Sequence, residues 1–462
     1  MVKKRTYRAV DVESVDVDAL LLRAADGEGL VVGLDVAKTK FLAAVATQEG
    51  EVIEIIRFEH PAKTRVFLNL LATLAEGGRS PVVVMEPTST YGDAIRHQLG
   101  LMGIAVHRVS TKHVRDSAEL YDRVPSKHDA KDACVIVWLH ATGRSTQWRP
   151  ADDLQRRLRA LVSMRDIYNA PLGRLRCQLE PLLARHFPEF ESFFDIGRTK
   201  TPLRLLAELP SPEELAASGC DEVARFVQRS SHRRPNLADI QRLIGAATDS
   251  LGEPMLDEER LLMQTLVAEM LRLHARVKEI DAQILSLSAD EPTLQAMRPV
   301  LGATTSAVVM AHMGSPAQYG SAAAFEKAAG LNLKEHSSGT HRGRLRISKR
   351  GPARVRNYLF LAAMRLVRHD PIVRAWYMRR RAYTEEAKMK ALIAVTRKLA
   401  RALVHVARGA PFDAAKLFDV RRLELDKPPT LRSTHAMTQH AHGQQPPRPS
   451  DGAPAISSVP TR

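Results

Sequence analysis

Three short apolar runs, residues 30–37 (LVVGLDVA), 40–47 (KFLAAVAT) and 51–60 (EVIEIIRFEH), follow one another with only two or three residues between them. Each is bounded by Lys, Gly or Glu breakers and reads as a strand, and connections this short join strands only as an antiparallel meander. A helical stretch follows at 64–76 (TRVFLNLLATLAE), then a buried strand at 81–86 (PVVVME), a helix at 91–100 and a strand at 104–110 (IAVHRVS). The order β-β-β-α-β-α-β suits a mixed sheet flanked by helices. The segment SKHDAKDACVIVWLHATG then reads as a helix beginning near Ser126, its expected N-cap, with Ala133, Ile136, Val137 and His140 on one side.

That frame gives four carboxylates a shared address. Asp35 sits at the end of one strand, Glu86 closes another, and Asp129 and Asp132 stand three apart at the start of a helix, hence on one face. Singly, each has an ordinary role as a strand-end residue or as a complement to the helix dipole. Together they would repel one another unless cations were bound, and hard oxygen ligands of this kind select Mg²⁺ or Mn²⁺. Two such ions can activate an attacking oxygen and stabilise a leaving one in phosphodiester chemistry.

The chain beyond residue 150 changes character. Leu154, Leu161, Tyr168, Leu175 and Leu182 are spaced by seven, with Leu158, Leu172 and Leu179 between them, a seam interrupted by Arg165 and Pro171. A second seam runs through Leu256, Met263, Met270, Val277 and Ile284 with Leu266, Leu273, Ile280 and Leu287. Both read as coiled-coil arms, and residues 190–250 read as a helical subdomain inserted between them. The expected organisation is an extension at 1–29, a catalytic α/β domain at 30–150, coiled-coil arms with their insert at 151–293, a mainly α-helical domain at 294–420, and a polar, Pro-rich disordered tail at 421–462.

Charge narrows the partner. Among 462 residues, 68 Lys and Arg outnumber 52 Asp and Glu by 16, and within 342–401 eighteen basic residues face three acids (Asp370, Glu385, Glu386), so nearly the whole surplus lies in one segment. Such a concentration favours a polyanion through attraction and counterion release. The three cysteines, Cys134, Cys177 and Cys220, lie far apart without ligand spacing, which argues against a disulfide framework or a zinc site. No signal sequence and no apolar stretch of membrane-spanning length is evident, so a soluble, cytoplasmic, nucleoid-associated protein without a membrane partner is expected.

The segments VVGLDVAKTKF, VVVMEPTSTYG and SKHDAKDA resemble, in order and spacing, the RuvC-like DEDD domain of the bacterial insertion-sequence transposases of the "IS one-ten" family. LGATTSAVVMAHMG and FEKAAGLNLKEHSSGTHRGRLRISKRGPARVRNYLFLAAM resemble that family's C-terminal transposase domain, the two sets spanning roughly 30–403. The resemblance implies a ribonuclease-H-like fold, Mg²⁺ dependence, oligomerisation through the coiled coil, and recombination of DNA guided by a structured RNA. It implies that Asp35, Glu86, Asp129 and Asp132 form the DEDD tetrad. It also implies a serine nucleophile within His336-Ser337-Ser338-Gly339, for which Ser338, directly before the glycine, is the choice. Nucleic-acid contacts are expected from Lys38, Lys127 and Lys131 around the tetrad and from Arg342, Arg344, Arg346, Lys349, Arg350 and Arg356 in the later domain.

Other classes share parts of this pattern. A RuvC-like structure-selective nuclease, such as a junction resolvase, would carry the tetrad but does not need a late Ser-Gly basic domain. An actin-like ATPase would share the sheet, but no second Gly-rich phosphate loop follows Glu86. A non-catalytic nucleic-acid binder would explain the basic segment and leave the four acids without a reason.

Overall fold

Alternation along the strand at Leu30–Val36 decides which face of a sheet each side chain meets. The computed structural model describes residues 7–24, 29–87, 90–197, 199–230, 236–335, 337–338, 343, 345–381 and 385–423, and the chain divides after Pro150 into two compact units. The first unit begins with β1 (Val10–Asp11) and α1 (Val17–Arg23), followed by β2 (Leu30–Val36), β3 (Lys40–Ala46) and β4 (Val52–Glu59). Then come α2 (Thr64–Glu76), β5 (Pro81–Met85), α3 (Asp93–Leu101), β6 (Val106–Arg108), α4 (Thr111–Asp122), α5 (Asp129–Ala141) and β7 (Thr146–Gln147). The strands lie in the order β1-β4-β3-β2-β5-β6-β7. β2, β3 and β4 form the antiparallel meander, and β5 and β6 run parallel to β2. This mixed sheet with flanking helices fits a ribonuclease-H-like domain.

Val32, Leu34 and Val36 join Phe67, Leu71 and Leu74 of α2 on one face. Each fully buried side chain of this kind contributes about 2 kcal/mol of transfer free energy. Val31 faces the other way, toward Ala133 and Val137 of α5. Gly33 stands on that second face, where a Cβ would lie 2.4 Å from the Ala133 carbonyl oxygen and 2.7 Å from Val137 Cγ2. Only glycine lets α5 approach β2 this closely.

The structure adds elements that the sequence pattern did not announce. The segment before Leu30 supplies β1, which pairs parallel with β4 and forms the edge of the sheet. Helix α4 buries only Val114 fully, with Ala118 and Tyr121 partly covered, a single i, i+4, i+7 stripe in an otherwise polar sequence. Helix α5 starts at Asp129 and not near Ser126. His128 is the N-cap, its Nδ1 accepting from Ala130 N–H at 3.2 Å, whereas the Ser126 carbonyl accepts from the Lys131 ammonium.

The second unit opens with α6 (Asp153–His186), a 34-residue helix that continues through Pro171 and Pro181. After α7 (Phe190–Phe193), α8 (Thr201–Glu208), α9 (Pro212–Ser230, broken at Gly219) and α10 (Leu237–Thr248) comes α11 (Asp257–Leu287). Arg165 pairs with Asp281 at 2.7 Å and Arg185 with Glu259 at 3.1 Å, so α6 and α11 run antiparallel within the chain. Met263, Leu266, Met270, Leu273 and Ile284 of the second seam are buried, while Leu256 is exposed. One end of this hairpin packs on α7 to α10 through Leu179, Leu183, Met263 and Met270. The other packs through Leu158, Val162, Ile280 and Ile284 on the elements that follow. These are α12 (Pro292–Leu301), α13 (Ala303–Met313), α14 (Ala322–Ala328), the hairpin β8 (Leu333–Lys334) and β9 (Arg346–Ile347), α15 (Ala353–His369), α16 (Pro371–Arg381), α17 (Glu385–Ala407) and α18 (Ala414–Leu417). The tail expected at 421–462 lies outside the described residues from 424 onward. Among the described residues, no helix is long and apolar enough to cross a membrane.

Candidate metal centre

Asp35 occupies the same face of β2 as Gly33 and therefore meets α5. There Asp129 and Asp132, in the first turn, present carboxylates whose oxygens lie within 4.8 Å of one another and of the Asp35 carboxylate. The parallel register pairs Leu34 with Met85, which sets Asp35 and Glu86 at neighbouring strand ends. Glu86 is buried, and its carboxylate accepts a hydrogen bond from Thr111 at the start of α4. Its oxygens do not join the close trio among the described residues, although its charge reaches Asp35 and Asp132. Three of the four expected acids thus converge closely and the fourth stands beside them. Thr111 escaped notice in the sequence, where only its place before a polar helix marked it.

Burial pushes the Asp35 carboxyl up to about 7, helped by the negative charges of Asp132, Asp129 and Glu86. Burial raises Asp132 as well, with Asp129 adding to it, while Lys127, Lys131 and His128 pull it back. Glu86 is raised mainly by burial and lowered by its Thr111 bond. Burial and mutual repulsion raise Asp35, Asp132 and Glu86 alike, which marks a centre short of positive charge. Hard carboxylate oxygens within reach of a single point, in that electrostatic setting, fit a small divalent cation.

The basic residues around the centre divide. Lys38 and Lys127 are exposed. Lys131, expected to contact nucleic acid, is instead fully buried: its ammonium pairs with Asp122 at 2.7 Å and donates to the Val124 carbonyl at 2.6 Å. A solvent-borne phosphate has no access to it.

In the second unit, β8 pairs with β9, and Ser338 lies exposed in the segment between them. The Ser337 hydroxyl donates to Glu335 Oε1 at 2.6 Å and accepts from Gly343 N–H at 3.1 Å, so it braces the turn. The Ser338 hydroxyl makes no hydrogen bond among the described residues. Arg346, Lys349 and Arg350 are exposed. Arg356 is part-buried, donating to the Gly351 carbonyl at 2.6 Å, which engages it in holding the hairpin base. Arg342 and Arg344, like His336 and Gly339, lie outside the described residues.

A mixed sheet with carboxylates converging beside its central strand is the arrangement of enzymes that process nucleic-acid phosphodiesters. Residues 32–188 match a family model described as a transposase of the DEDD, IS110 type, and residues 294–378 match one described as the transposase IS116/IS110/IS902 family. The chain is 26% identical over 408 residues to an insertion element IS110 uncharacterized 43.6 kDa protein of Streptomyces coelicolor, covering 84% of this chain and 96% of that protein. It is also 26% identical over 284 residues to an insertion element IS900 uncharacterized 42 kDa protein of Mycobacterium paratuberculosis, covering 60% and 70%. The chain belongs to the IS110-type family of DNA transposases.

Proposed function

We propose that this transposase cuts and rejoins DNA at a centre in which Asp35, Glu86, Asp129 and Asp132 hold Mg²⁺ or Mn²⁺. The convergence of Asp35, Asp129 and Asp132 within 4.8 Å carries the reading. When bound, the metal supplies Lewis-acid stabilisation of the charge that grows on the phosphodiester oxygens. The chain's own residues do the rest: Gly33 admits α5, the first turn of α5 presents two carboxylates, and Thr111 orients Glu86. Lys38 and Lys127, exposed near this centre, are proposed to steady the DNA backbone.

In the second unit Ser338 is the proposed nucleophile, its hydroxyl exposed and free of the bonds that hold Ser337. Arg346, Lys349 and Arg350, together with Arg342 and Arg344, are proposed to hold phosphates of DNA and of an element-encoded guide RNA. The helical arm is the proposed site of homo-oligomerisation, where Met164 and Ile167 of α6 and Leu261 and Leu262 of α11 remain exposed. A cytoplasmic, nucleoid-associated location goes with these partners. The deciding experiment compares wild type with Asp35→Asn and Asp129→Asn. Loss of strand cleavage with retained DNA binding is expected, and full cleavage by either variant in Mg²⁺ refutes the centre.

A further inference from the structure

Lys131 stands between Asp129 and Asp132 in sequence, yet its side chain turns away from them into the protein and is fully buried. A buried ammonium must be paired and bonded to be tolerated. Here it pairs with Asp122 at the end of α4 and donates to the carbonyls of Val124 at 2.6 Å and Ser126 at 3.3 Å. Asp122 also accepts from Val124 N–H at 2.9 Å and from the Tyr7 hydroxyl at 2.7 Å. The Lys131 bond, with that of Tyr7, holds the Asp122 carboxyl down at about 2.

The same tyrosine ring stacks on His128, 6.0 Å between centroids, and His128 caps the first turn of α5. The link between α4 and α5 includes Arg123 in the left-handed region at φ 62, which turns the chain sharply so that both ends of the link meet at Lys131. Tyr7 belongs to a segment that precedes the part of the chain matched by the transposase family models, which begins at residue 32. This chain thus uses its own N-terminal residues to brace the turn that bears Asp129 and Asp132.

We infer that Lys131, Asp122 and Tyr7 form a clamp that positions the first turn of α5, making them positioning residues for the divalent-cation site. The inference rests on the metal reading of the acidic cluster. The His128 cap and the buried Ala130 and Ala133 hold α5 itself, but residues 123–128 are exposed along their length, so the clamp is the buried anchor that ties this link to the first turn. Loosening it would let the two carboxylates drift from Asp35 and weaken cation binding before it unfolds the sheet.

The experiment measures Mn²⁺ binding to the full chain by electron paramagnetic resonance, with melting temperature recorded in parallel. Lys131→Met and Asp122→Asn are expected to weaken Mn²⁺ binding roughly tenfold, the scale seen when supports of metal ligands are removed. Tyr7→Phe, which deletes one hydroxyl and keeps the stacked ring, is expected to weaken it by a smaller factor while keeping the melting temperature close to wild type. Strand cleavage by all three should recover at raised Mn²⁺. Leu74→Ala, on the opposite face of the sheet, serves as a destabilised control that should melt earlier yet bind Mn²⁺ as wild type does. Unchanged Mn²⁺ affinity in folded Tyr7→Phe and Lys131→Met, with Asp35→Asn abolishing binding, overturns the clamp and leaves the metal centre standing. Equal Mn²⁺ binding by wild type and Asp35→Asn removes the metal reading and the clamp's purpose with it. If Lys131→Met does not fold, Tyr7→Phe alone decides.

Discussion

The missing side chain of Gly33 and the carbonyl of Ala133 set the spacing between β2 and α5, because a methyl group on Gly33 would fall 2.4 Å from that oxygen. The contact lies two residues from Asp35 on one element and one residue from Asp132 on the other. Gly33→Ala is therefore expected to push α5 outward, costing about 1–3 kcal/mol as overpacking does, and to weaken divalent-cation binding at the same time. Urea unfolding and Mn²⁺ titration of the variant check both. Unaltered cation affinity in a destabilised variant would mean that the acids do not depend on this spacing.

The raised Asp35 carboxyl makes the cation effect pH-dependent. Its folded value of about 7 lies above the unfolded value near 4, so it binds its proton more tightly when folded. The stability this lends is complete below about pH 4 and is lost as pH rises through about 7. A divalent cation that competes with the proton should accordingly raise the melting temperature more at pH 8 than at pH 6. Thermal unfolding with and without Mg²⁺ at both values checks it, and an equal or larger rise at pH 6 goes against it.

Affinity for nucleic acid should fall steeply with salt. The exposed Arg346, Lys349 and Arg350 lie in the segment whose eighteen basic residues face three acids. Neutralising roughly six phosphates gives a slope of log K against log salt of about −5. Reversal of Lys349 and Arg350 to glutamate should flatten it by about two. A nearly flat dependence in the wild type shows that the basic face is merely solvated.

Ser337 and Ser338 are separable by chemistry. Ser337→Ala removes two bonds that brace the turn and should slow cleavage partially, whereas Ser338→Ala should eliminate any covalent protein–DNA adduct trapped on a suicide substrate. An adduct that persists in Ser338→Ala and disappears in Ser337→Ala moves the nucleophile back by one residue. Persistence in both rules out serine attack.

What the sequence determined by itself was local and periodic. Short apolar runs bounded by breaker residues marked β2 to β5 as strands, and the gaps of two or three residues between the first three specified the meander, because so short a connection leaves the chain no other way to return. Asp35 and Glu86, each at the end of such a run, could be set on strand ends from the sequence alone. The tertiary structure decided what depends on residues far apart. Lys131 read as a surface cation until Asp122 and Tyr7, the latter 115 residues from Asp122, drew it inward. Arg165 read as a break in the α6 seam, yet it joins Asp281 of α11 and the Tyr358 hydroxyl of α15, and its neighbour Asp166 pairs with Arg354. A charged side chain carries no periodic signal of its own. Whether it faces water or is buried is set by the partner that satisfies it, and only the folded chain brings that partner within reach.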